Sequence, residues 1–143
     1  AGDLVIVDAP CSGQSLLVKG QPNSGAFRSN TVNGNAKRQK WILENAALLT
    51  KPGGHLAYMT CTFSLEENEE AVGEFLKKHS DFAAIPVGKL ESYRSHLADF
   101  PCYRWWPHRN AGAGGFTCLL KNNSREVPDD YDFSDLRAMW TGN

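Results

Sequence analysis

No stretch of the 143 residues is apolar for long enough to cross a bilayer. The longest fully apolar runs are a handful of residues, against the roughly 20 that a transmembrane helix needs. The first residues lead into a strand-like run and lack the basic stretch and cleavage site of a secretory signal. An excess of one charge is also missing: 15 Lys+Arg stand against 16 Asp+Glu, a net −1. Composition therefore gives no whole-surface nucleic-acid footprint. Cys11, Cys61, Cys102 and Cys118 form no Cys-x-x-Cys pair, and none lies at zinc-ligand spacing from another Cys or a His, so no metal is expected. An even cysteine count permits a secreted two-disulfide domain, but a chain of this length does not need such staples. Reduced thiols in a cytoplasmic protein are the expectation. No Gly-x-Gly-x-x-Gly opens a helix. What is present is the balance of an ordinary globular domain, 41% apolar and 22% charged.

Leu4-Val5-Ile6-Val7 is a short apolar run ending at Asp8, the pattern of a strand buried on both faces. Pro10, Ser12 and Gly13 break it into a loop. Residues 19–35 are rich in Gly, Asn and Ser and predict a long loop. Residues 36–49 carry helical spacing, with Ile42, Ala46 and Leu49 on one stripe widened by Leu43 and Ala47. Lys37, Arg38 and Lys40 fall in the first turn of that helix, the end where the dipole disfavours cations. They are either a solvated face or a phosphate contact. Lys51-Pro52-Gly53-Gly54 stops the helix and turns the chain. Residues 55–59 predict a second strand, running out at Thr60-Cys61-Thr62. Ser64-Leu65-Glu66-Glu67 predicts a capping box, opening a helix that ends near His79. Residues 81–86 predict a third strand, residues 87–115 irregular chain, and residues 115–121 a fourth strand. The remaining residues, 122–143, form an acidic tail whose Leu136, Met139 and Trp140 suit one docked helical turn.

The order β-α-β-α-β-loop-β implies an α/β sheet with right-handed parallel crossovers. Ligands in such sheets bind outside the carboxyl ends of the strands. The first two strands, joined by one helix, become neighbours or near neighbours, so Asp8, Cys11 and Cys61 meet at one rim. A lone cysteine is most simply a small buried hydrophobe. That describes Cys102 and Cys118, the latter between Phe116 and Leu120 in a strand. Cys11 and Cys61 lie just past strand ends, beside polar loops. A redox pair, a cysteine hydrolase and a covalent transferase all remain open on spacing. A hydrolase needs a His base, and none of His55, His79, His96 and His108 falls at a strand's carboxyl end.

Asp3-Leu4-Val5-Ile6-Val7-Asp8-Ala9-Pro10-Cys11-Ser12-Gly13 resembles the signature of the RNA cytosine-5 methyltransferases of the Sun/Fmu (RsmB-like, Nol/Nop/Sun) family. Lys51-Pro52-Gly53-Gly54, Tyr58-Met59-Thr60-Cys61-Thr62 and Glu66-Glu67-Asn68-Glu69 resemble its second cysteine motif. Pro107-His108-Arg109 and Gly114-Gly115-Phe116 resemble its C-terminal motif. Two departures stand out. Gln14-Ser15 follow Gly13 where the family commonly has a Gly, and Thr117 stands where Gly-Phe-Phe is usual.

The resemblance implies a Rossmann-like class I methyltransferase sheet, here only its C-terminal half: about four strands, mostly parallel, with helices on the faces. It implies that residues 1–121 are the C-terminal part of a domain dependent on S-adenosylmethionine. The N-terminal half of that domain would be the chain's missing partner, and this piece would be inactive alone. Cys61 would be the nucleophile, Cys11 the second cysteine that helps release product, and Asp8 the carboxylate where cofactor and target base meet. RNA would be the substrate, ribosomal in preference to transfer RNA, with Lys37, Arg38, Lys40 and Arg109 as local phosphate contacts. Two other readings stay open: a non-catalytic RNA-binding or interaction fragment, and a two-cysteine redox protein.

Overall fold

A computed structural model of the chain describes residues 1–109 and 112–125. Its strands are β1 (Gly2–Asp8), β2 (Thr50–Thr60), β3 (Phe82–Ala84), β4 (Tyr103–Trp105) and β5 (Gly115–Asn122). Its helices are α1 (Ser29–Leu49) and α2 (Glu69–Lys78), with 3-10 segments at Gln14–Lys19 and Gly88–Tyr93. The expected tail helix lies outside the described residues.

The sheet order is β1-β2-β5-β3, with β4 pairing beside β5. β1 and β2 are parallel and directly paired, the nearer of the two placements that the crossover argument allows. β5 runs antiparallel to β2, β3 and β4. Four strands thus point one way and β5 is the reversed one. The short strand β4 sits where irregular chain was expected. Its three residues pair with the edge of β5, a tertiary pairing that three residues of periodicity cannot announce.

Alternation sets the core. Leu56 and Tyr58 of β2 and Phe116, Cys118 and Leu120 of β5 point to one face, where they meet Leu43 and Ala46 of α1 and Val72 and Phe75 of α2. Lys40 of α1 reaches Glu74 of α2 at 2.7 Å, tying the helices across their exposed side. β1 departs from expectation. Val7 is buried, but Leu4 and Ile6 are 57% and 61% exposed. Among the described residues β1 is an edge strand with one face bare.

α1 starts seven residues earlier than the spacing suggests, because Val32 and Ala36 bury against the body of the domain. Packing overrides the weak helix propensity of Asn and Gly there. Lys37, Arg38 and Lys40 consequently lie in the interior of the helix, and the first-turn dipole argument does not apply to them. The Lys51–Gly54 turn is absorbed into β2 as an irregularity, since Gly2 pairs with Thr50 while Leu4 pairs with His55. A Cβ on Gly54 would stand 2.9 Å from the Lys51 carbonyl and 3.1 Å from those of Gly2 and Asp3, so only glycine passes there.

Candidate active site

Parallel pairing brings the ends of β1 and β2 level. Asp8 registers with Met59, and the Ala9 N–H donates to the Met59 carbonyl at 2.9 Å. Each chain then leaves the sheet on the same rim. Cys11 and Cys61 meet there with their sulfurs 3.1 Å apart, both as free thiols. Cys61 is exposed and Cys11 only partly so. Burial first, then the contact with Cys61, pushes the Cys11 thiol up to about 12, so it is neutral at physiological pH.

The two cysteine loops are sewn into one unit. The Ser15 N–H donates to the Cys61 carbonyl at 3.2 Å. Gln14, buried, donates to the Ala26 carbonyl at 3.0 Å and accepts from the Phe63 N–H at 3.1 Å. Glu67 is fully buried and its carboxylate accepts from the Ser12 N–H, the Ser12 hydroxyl and the Gln39 amide. Gln39 also donates to the Pro10 carbonyl at 2.8 Å. Only half of the expected capping box forms. Ser64 Oγ accepts the Glu67 N–H at 3.2 Å, but the Glu67 side chain turns away to Ser12, and the regular helix begins at Glu69.

Asp8, Thr60 and Cys61 line a cleft of about 610 Å³ whose walls include Met59, Trp105 and Phe116, a volume within the usual range for ligand sites. Its far wall is aromatic. Phe63 stacks on Trp106 at 5.5 Å, and Arg104 lies 5.1 Å over the same indole. Arg104 and Glu69, each 3% exposed, form a buried ion pair, and Arg104 also donates to the Phe63 carbonyl at 3.0 Å. A Cβ on Gly114 would fall 2.5 Å from the Phe63 ring, so a glycine there lets this wall close. Thr117, at the position where the family carries Phe, lines the cleft and donates to the Tyr58 carbonyl at 3.1 Å.

The structure thus brings Asp8, Cys11 and Cys61 together. Lys37 and Lys40 line a different cleft, with Asn30, Asn33, Glu66 and Glu70, and Lys40 is engaged by Glu74. Arg38 is exposed on α1 and lines neither cleft. Arg109 borders a small cavity with Ser92, Tyr93, Arg104 and Trp106, next to the main cleft through the shared Trp106. Among the described residues no histidine lines the main cleft, so none is placed there as the base a cysteine hydrolase needs. Cys102 and Cys118 are fully buried, as expected. Glu67, Gln39, Gln14 and Trp106 were not assigned to the site from the sequence. The signal for Glu67 was its place in a run of five acidic or amide residues, Glu66 to Glu70, too many for one solvated helix face.

A family model described as 16S rRNA methyltransferase RsmB/F matches residues 1–121. Ribosomal RNA small subunit methyltransferase B of Erwinia tasmaniensis is 34% identical over 118 residues, covering 82% of this chain and 26% of its own length. A 28S rRNA (cytosine-C(5))-methyltransferase of Mus musculus is 29% identical over 151 residues, covering 97% of this chain and 19% of its own. The chain therefore spans about a quarter of these relatives or less. Among solved structures, NSun6 from Pyrococcus horikoshii with SFG superposes at a TM-score of 0.70 with 24% identity, over 83% of this chain and 29% of that one. The α/β sheet is thus part of a Rossmann-like methyltransferase fold.

Proposed function

The chain belongs to the 16S rRNA methyltransferase RsmB/F family, and on that premise we propose that it is part of an enzyme that methylates carbon 5 of a cytosine in ribosomal RNA. The observation that carries this reading is the pair of free sulfurs, 3.1 Å apart, one of which, on Cys61, belongs to a cleft that also holds a strand-end carboxylate. In this reading residues 1–121 are the C-terminal part of the catalytic domain and act only with the part that precedes them.

Carbon 5 of cytosine is a poor nucleophile. Addition of the Cys61 thiolate to ring carbon 6 makes the ring an enamine and carbon 5 nucleophilic. S-adenosylmethionine, when bound, supplies the methyl group that carbon 5 accepts. Loss of the carbon-5 proton to a base then restores the 5,6 double bond, and the electron pair of the carbon–sulfur bond returns to Cys61. Cys11, neutral at physiological pH, offers its S–H to the departing sulfur and so assists release. Asp8 stands at the cleft where it can accept from the cytosine amino group and border the cofactor. The fit to the cofactor is partial, because no glycine-rich strand-to-helix turn occurs in this chain to cradle it. The target base must leave its stack to reach Cys61, so the substrate is single-stranded or locally opened RNA. Of the four cations expected to meet its phosphates, Arg109, Lys37 and Arg38 form no ion pair among the described residues, while Lys40 contributes less because Glu74 engages it.

The test uses the longest reading frame that carries this chain. Cys61→Ala abolishes both methyl transfer to ribosomal RNA and any covalent RNA–protein complex; activity that survives it refutes the assignment. Cys11→Ser keeps complex formation and slows release, so a denaturation-stable complex accumulates on a gel. The close sulfurs also suit a redox protein. That alternative requires a reversible Cys11–Cys61 disulfide with turnover of a thiol substrate, and no RNA complex.

A further inference from the structure

Glu67 is a fully buried carboxylate that no part of the proposed chemistry uses. Its backbone is already satisfied: Ser64 Oγ accepts its N–H, and the Tyr58 hydroxyl donates to its carbonyl at 2.7 Å. Among the described residues the side chain forms no ion pair, and its three partners there are all neutral donors. A buried charge held only by neutral donors costs stability relative to an apolar residue of the same size. The helix does not need it, so its worth lies in what it holds.

What it holds is the Cys11 loop. Oε1 accepts from the Ser12 N–H at 2.8 Å and from the Gln39 amide at 3.0 Å, and Oε2 accepts from the Ser12 hydroxyl at 2.6 Å. With the Ser12 hydroxyl donating to Glu67, the Thr62 hydroxyl donates to Ser12 Oγ at 2.7 Å. Gln39 carries the same support to the Pro10 carbonyl. Residues on both sides of Cys11 are thus fixed from the chain that follows Cys61, and Thr62, next to Cys61, belongs to the same network.

We propose that Glu67 is the positioning residue of the two-thiol site, its carboxylate holding the Cys11 loop so that the Cys11 thiol stays within reach of the Cys61 sulfur. Its effect on turnover rests on the assignment of Cys61 to attack and Cys11 to release. Because it acts through Cys11, its loss slows release selectively and leaves attack by Cys61 in place. Glu67→Gln preserves the arrangement: its carbonyl oxygen takes the two N–H donors, and its amide donates to Ser12 Oγ, whose hydroxyl then turns to Thr62.

The experiment uses the longest reading frame that carries this chain, S-adenosylmethionine, and unmodified transcripts of small- and large-subunit ribosomal RNA. Formation and decay of the covalent complex are timed separately. Glu67→Ala lowers the ratio of release rate to formation rate at least about tenfold, since small misplacements of a reacting group carry penalties of this size or more. Glu67→Gln restores the ratio to within about threefold of wild type. Ser12→Ala moves the ratio in the same direction as Glu67→Ala and carries the test if that variant does not fold. A general structural role would reduce both rates together, so an unchanged ratio in Glu67→Ala or Ser12→Ala overturns the proposal, as does a Glu67→Gln ratio as low as that of Glu67→Ala. A wild-type protein that forms no complex fails the methyltransferase reading itself, and this assignment with it.

Discussion

Cys11 and Cys61 share a rim and differ in surroundings, and in the proposed mechanism that difference divides their work. Cys61 is open to solvent. Cys11 is partly buried and its ionisation is pushed up to about 12. Thiolate, not thiol, is the reactive form. Iodoacetamide at pH 8 is therefore expected to label Cys61 well ahead of Cys11, Cys102 and Cys118, as read by peptide mass spectrometry; faster labelling of Cys11 contradicts the division. Both residues were legible in the sequence because each follows a strand end, and topology alone places strand ends. Glu67 was legible as a capping residue and as part of a resembled motif, but not as a partner of Ser12, since Ser-x-x-Glu spacing is a local rule. The side chain breaks that rule to reach Ser12, fifty-five positions away in sequence, and local spacing carries no information about such a partner. Departures of this kind are expected at functional sites.

At the scale of elements, β4 and the start of α2 are joined by the Arg104–Glu69 pair, which also holds the Phe63 carbonyl beneath the aromatic wall. Removing one partner of a buried pair leaves the other charge uncompensated, at a cost of about 3–5 kcal/mol. Arg104→Met is expected to lose stability on that scale in urea denaturation, and the added change Glu69→Leu to recover most of it. A single substitution costing less than about 1 kcal/mol would place the pair outside the core. Sequence gave no hint of the pair, because β4 was invisible to three residues of pattern. The early start of α1 was missed for a related reason: its first turns are held by burial of Val32 and Ala36, not by propensity or a cap side chain. The long, strongly patterned elements, β2, α2 and β5, were legible because alternation and helical spacing there match the faces they bury.

For the molecule as a whole, the bare face of β1 matters most. A strand expected to be buried on both sides exposes Leu4 and Ile6 here. If residues 1–121 are part of a larger catalytic domain, that face is covered in the full-length protein. Ile6→Ala then changes the stability of the 143-residue chain by no more than about 0.5 kcal/mol. In the full-length protein it costs about 2–5 kcal/mol, as for a core aliphatic. Equal small effects in both would mean that nothing packs there. The thiols set an alkaline limit. Burial raises Cys11 and Cys102 from 9.0 to about 12 and raises Cys118 as well. The unfolded chain ionises above about pH 9 while the folded chain does not, so stability is retained below 9 and falls as pH climbs toward 12. Thermal unfolding between pH 8 and 11 checks the sign.

The central claim is that Cys61, and no other residue, carries the cytosine. Its most direct test is tandem mass spectrometry of the RNA–protein complex trapped by the Cys11→Ser variant, after nuclease digestion. The account predicts a cytidine-derived mass on the peptide bearing Cys61, 5-methylated when S-adenosylmethionine is present. The same mass on any other residue, or no covalent complex at all in a variant whose parent methylates ribosomal RNA, would contradict it.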